Sequence, residues 1–95
     1  MPQSVPVDLS TSVLPSLSIT TTEDSYAFVA GGDSPAKPVI VQFAANQAWL
    51  LGTSPGGPYF RIPTDSPFNY PVWPGLTLYV KADTTPGTLR GIRVQ

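Results

Sequence analysis

Apolar and polar residues alternate over much of this chain with a period of two. Leu76, Leu78 and Val80 interleave with Thr77, Tyr79 and Lys81, the pattern of a strand with one buried face. A Pro86-Gly87 turn follows, and Ile92 and Val94 resume the pattern to the last residue. Residues 76–95 therefore read as a β-hairpin. Upstream, Pro15, Leu17 and Ile19 face one way while Ser16, Ser18 and Thr20 face the other; a proline there suits an edge strand or a strand start. Glu23-Asp24 turns the chain into a short strand over 26–30, which Gly31-Gly32-Asp33 ends. Val39, Val41 and Phe43 alternate with Ile40 and Gln42, and Ala45-Asn46-Gln47 separates them from 48–51, giving a second hairpin. The run over 39–51 is almost continuously apolar, as central strands of a small sandwich are.

Two stretches break the pattern. Residues 1–12 carry prolines and only Val5, Val7 and Leu9 as spaced apolar positions. They read either as a loose tail or as an extended N-terminal arm adding to a neighbouring subunit's sheet edge, and the alternation of the three favours the arm. Residues 52–75 hold six prolines, four glycines and five aromatics, so loop and short edge strands are expected. Tyr59, Phe60, Phe68, Tyr70 and Trp73 either close one end of the core or form an exposed contact surface.

The expectation is an all-β fold: a small β-sandwich or jelly-roll-like barrel of about seven to eight short antiparallel strands, with an arm over 1–12 and one domain over 13–95. Twelve prolines among 95 residues leave no room for a long helix. A chain of this size has a thin core, and with neither Cys nor His it has no disulfide and lacks the usual zinc, copper and haem ligands. Charged residues make up 12% and the net charge is −1, half the charge density of ordinary soluble domains. Nineteen Ser and Thr residues supply polarity that packs against another protein without stripping water from ions. No run reaches the length of a transmembrane helix, and the N-terminus lacks a signal-peptide pattern, so synthesis in the cytoplasm is expected.

Catalytic chemistry is not legible. Without histidine, a nucleophile would have to be Ser34 beside Asp33 and Lys37, a poor substitute for a serine with a base. The same GGDSPAK segment lacks the second glycine and the Lys-Ser/Thr pair of a phosphate loop. Glu23, Asp24 and Asp33 fall short of a calcium loop. Tyr79 and Lys81, with Arg90 and Arg93 across the expected hairpin, weakly echo an aromatic and basic groove for single-stranded nucleic acid, against the plainer reading that they cover an edge strand. The expectation is no enzyme, no cofactor, no nucleic acid and no membrane.

The segments VIVQFAANQAWLLGTS and PVWPGLTLYVKADTTPGTLRGIRVQ, through Leu51-Gly52-Thr53, Pro74-Gly75 with Leu78-Tyr79, and Gly87-Thr88 to Val94, resemble small virion proteins of tailed bacteriophages over residues 39–95. The resemblance implies a capsid decoration or cement protein on the virion exterior, binding the major capsid protein, often as a homotrimer. On that view Val5, Val7 and Leu9 lie across capsid subunits while Tyr59, Phe60, Phe68, Tyr70 and Trp73 fill a subunit contact. The alternative is a glycan- or receptor-binding module of a fibre, tail or baseplate, with Tyr59, Tyr70 and Trp73 stacking on sugar rings.

Overall fold

The computed structural model describes residues 4–8, 13–29 and 38–94. Among them lie nine strands and no helix: β1 (Ser4–Asp8), β2 (Leu17–Ile19), β3 (Asp24–Val29), β4 (Val39–Ala45), β5 (Trp49–Gly52), β6 (Tyr59–Ile62), β7 (Phe68–Val72), β8 (Thr77–Ala82) and β9 (Gly87–Arg93). They form two sheets, one in the order β1-β3-β8-β5-β6 and one in the order β2-β9-β4-β7. The protein is an all-β sandwich.

The alternation seen in the sequence decides which side chains enter the core. Val39, Val41, Phe43 and Ala45 of β4, Leu78, Val80 and Ala82 of β8, and Leu17 and Ile19 of β2 are buried. A chain of rings crosses between the sheets: Phe28 to Tyr26 at 6.2 Å, Tyr26 to Phe43 at 6.1 Å and Phe43 to Trp49 at 6.0 Å between centroids. These spacings lie in the favourable range for aromatic pairs. The buried Tyr26 hydroxyl donates to the Pro15 carbonyl at 3.1 Å, and burial holds it well above the usual tyrosine range.

Neither expected hairpin forms. β8 pairs with β3 and β5 in one sheet, whereas β9 pairs with β2 and β4 in the other. β4 and β5 are likewise in different sheets. Both connections are arches that cross a layer about 10 Å thick. Neither Asn46-Gln47-Ala48 nor Asp83-Thr84-Thr85-Pro86 is the two-residue Asn-Gly or Asp-Gly loop that forces adjacent pairing. The arches are tied to one another and to the rest of the chain: Thr88 N donates to Asn46 Oδ1 at 2.8 Å, Asp83 N to the Ala48 carbonyl at 3.1 Å, and Ala82 N to the Thr20 carbonyl at 2.7 Å. β5 and β6 are the one sequence-adjacent pair among the described strands.

Ser4–Asp8 also departs from expectation. Instead of reaching away as an arm, it is the edge strand of its own sheet, parallel to β3 with Val5 opposite Tyr26 and Val7 opposite Phe28. Val7 is in the core and Val5 packs against it, so the alternation of the two reflects a half-buried edge strand. Leu9 lies outside the described residues, as does the GGDSPAK segment.

Candidate docking face

On the four-stranded sheet, the inward positions Val41, Phe43, Val72 and Leu89 send Ile40, Gln42, Ala44, Asn69, Pro71, Arg90 and Ile92 outward. Register assembles them into rows. Val13 bridges Ile92, Ile92 is opposite Gln42, and Gln42 is opposite Asn69. In the next row the Val94 amide donates to the Ile40 carbonyl at 2.9 Å, and Ile40 is opposite Pro71. Trp73 follows directly after β7. Val13 is 65% exposed, Val94 48%, Ile92 45% and Trp73 42%. The two other large apolar side chains exposed among the described residues, Val29 and Phe60, lie in the other sheet.

Among the described residues, this face carries one charge. Arg90 is exposed and makes no ion pair among the described residues. Two open depressions flank it, one lined by Gln42, Ala44, Gly91 and Ile92 and the other by Asn46 and Thr88. No described carboxylate occupies an outward position of these four strands. Gly91 lets the core approach the sheet from behind: a Cβ there would meet Leu14 Cδ2 at 3.1 Å and the Phe43 ring at 3.2 Å.

On the outer face of the five-stranded sheet, by contrast, Arg61, Lys81, Asp83 and Glu23 are engaged within the chain. Arg61 Nε donates to Asp83 Oδ2 at 2.9 Å. Lys81 Nζ sits 4.7 Å from the centroid of the Tyr59 ring, within cation–π range. The Tyr59 hydroxyl and the Gly56 amide both donate to Glu23 Oε1, the latter at 2.9 Å. Desolvation, followed by the hydrogen bond to Glu23 and that residue's negative charge, pushes the Tyr59 hydroxyl up to about 12. The ring lies over Gly52, where a Cβ would come within 2.8 Å of the Pro58 carbonyl oxygen and 3.0 Å of the ring itself.

The aromatic residues singled out in the sequence do not share one surface. Tyr59 is outside the five-stranded sheet, and Phe60 is 70% exposed at that sheet's edge. Phe68 and Tyr70 of edge strand β7 stack at 6.1 Å and pack against the core, while Trp73, just past the end of β7, is 42% exposed. Tyr59, Tyr70 and Trp73 therefore form no common sugar platform. The nucleic-acid groove also dissolves. Tyr79 and Lys81 are in one sheet, Arg90 is on the outer face of the other, and Arg93 falls on the opposite side of β9 from Arg90. Sequence reasoning placed Arg90 on a solvent face but missed Val13, Ile40, Ile92 and Val94 as surface. The signal was the near-continuous apolar run around Ile40, which marks an apolar outer face as well as it marks a doubly buried strand.

No family model matches the sequence, and no curated protein does. Among solved structures, the chain is similar to the pre-peptidase C-terminal domain of a collagenase from Bacillus anthracis, with 18% identity and a TM-score of 0.53 over 98% of this chain and 96% of that one. At that identity the likeness is one of fold, and it places the protein among β-sandwich domains.

Proposed function

We propose that this chain is a non-catalytic attachment module that docks onto a protein assembly through the outer face of its four-stranded sheet. One observation carries the reading: Val13, Ile40, Ile92, Val94 and Pro71 are contiguous in register on a face with, among the described residues, a single charge. Exposed apolar surface of this kind, rimmed by neutral polar groups such as Asn69 and Gln42, is characteristic of protein interaction sites. The resemblance over residues 39–95 supplies the specific form, a decoration protein on the capsid shell of a tailed bacteriophage. Many copies on one lattice hold a shell together even when each contact is modest. The fold shared with a collagenase domain selects no particular partner.

The test is cosedimentation of the chain with expanded shells assembled from tailed-phage major capsid protein. Saturable binding that Ile92→Lys abolishes and Phe60→Lys leaves intact supports both the shell and the face. Failure of the native chain to bind rejects the shell, and equal binding by Ile92→Lys rejects the face.

A further inference from the structure

We infer that the partner docks face to face and presents a carboxylate to Arg90 from within an otherwise apolar contact. The inference rests on the docking reading above and names the chemistry of the surface that fits. Strand addition, the other way for a sandwich to bind a protein, is obstructed at each edge. Pro6 lies within β1, Pro71 lies within β7 with Pro67 immediately before it, and Pro58 and Pro63 bracket β6. The other two edge strands, β2 and β6, contain no proline but are only three and four residues long, and very short edges also discourage strand addition. β2 also follows Pro15 closely. A proline offers no amide to an incoming strand, and this is how natural sheets protect their edges.

That leaves the two faces. On the five-stranded sheet Arg61 is paired with Asp83, and Lys81, Tyr59 and Glu23 engage one another within the chain. On the four-stranded sheet Arg90 lies beside the apolar row, with Ala44 opposite it and Ile92 two residues along β9. Any partner that covers Ala44 and Ile92 also covers Arg90. Burying the guanidinium without an acceptor would oppose binding strongly, so a partner that fits must bring an anion to that point. The anion is a single one set among apolar groups. Nucleic acid and anionic lipid surfaces are held by several cations tracking many phosphates, whereas one guanidinium beside aliphatic side chains matches one planar carboxylate in two-point contact. Gln42, Asn46 and Thr88, which line the flanking depressions, supply neutral hydrogen-bonding groups around it.

The experiment is a selection of displayed random dodecapeptides on the immobilised full chain, with counter-selection on Ile92→Lys, followed by binding of the synthetic consensus peptide. The expected consensus contains Asp or Glu flanked by apolar residues. Its affinity should fall at least about tenfold on Arg90→Gln, as expected when one member of a desolvated charge pair is removed, and should be unchanged on Arg61→Gln. Replacing the peptide's acid by its amide should weaken binding to the native chain and make no further difference on Arg90→Gln. A consensus without an acid, or equal affinity for Arg90→Gln, overturns the carboxylate. Peptides that bind Ile92→Lys as well as the native chain overturn the face. Since no shell is used, failure here is distinct from failure of the capsid reading.

Discussion

At the level of single residues, the chain is tightly constrained where Tyr59 crosses Gly52. The Glu23 carboxylate accepts from the Tyr59 hydroxyl and the Gly56 amide together, so the β2–β3 turn and the β5–β6 loop are pinned to one oxygen. The Tyr59 hydroxyl is raised from its ordinary value of 10 to about 12, and the sign of the consequence follows. Between those values the unfolded chain has lost a proton that the folded chain keeps, so stability is fully present below pH 10 and declines as pH rises toward 12. Urea unfolding at a series of pH values should show that decline, and Tyr59→Phe should make it shallower, leaving the share due to Tyr26, whose hydroxyl burial also raises. An unchanged slope in the variant would mean that another group is responsible. Gly52→Ala tests the same spot sterically. Its methyl would meet backbone, the Pro58 carbonyl oxygen at 2.8 Å, which cannot rotate away. A loss of about 1–3 kcal/mol is expected, as for other overpacked positions, with a near-native midpoint in urea as the contrary result.

At the level of elements, the sequence announced the strands more clearly than their partners. Alternation is a local property, and it correctly marked Leu17 and Ile19, Val39 to Phe43, and Leu76 to Val80. Pairing is not local, and three- or four-residue connections without a diagnostic glycine serve arches as well as hairpins. The prolines held more information than composition alone extracted from them: the two that lie within strands, Pro6 and Pro71, both mark edge strands. β1 shows what was at stake. Val5 and Val7 read as an arm because nothing local reveals that Tyr26 and Phe28 have an open flank for them. With Val7 fully buried, Val7→Ala should cost about 2 kcal/mol, within the range for truncating a buried aliphatic side chain. Removal of residues 1–8 should cost more, because it uncovers the flank of β3. Chemical denaturation reads both, and a truncated chain as stable as the full one would return β1 to the role of a detachable arm.

At the level of the whole molecule, the docking face could not be read from the sequence because it is assembled from strands distant in the chain. Val13, Ile40, Ile92 and Pro71 become neighbours only when β9 inserts between β2 and β4 and β7 closes on the far side of β4. The same topology governs folding. Among the described strands, β8 and β9 are the last in the chain, yet each is interior to its sheet, β8 between β3 and β5 and β9 between β2 and β4. Neither sheet can be completed while they are missing, since both would be split into separate pieces. A chain ending at Thr85 would keep β8 but lose the strand that joins β2 to β4 and the Leu89 side chain that is fully buried in the core. The expected result is a chain without cooperative unfolding, in which Trp49, wholly buried in the native protein, emits as a solvated indole. Adding a peptide of residues 87–95 should restore burial of Trp49, because that peptide carries the missing central strand. Because nearly all strand pairs join distant segments, the intact chain should fold on the millisecond-to-second scale of small β-sandwiches. Stopped-flow fluorescence of Trp73→Phe, which leaves Trp49 as the sole indole, measures that rate. A cooperative, Trp49-buried state in the chain ending at Thr85 would show that the five-stranded sheet folds by itself, and that β9 merely docks onto a finished layer.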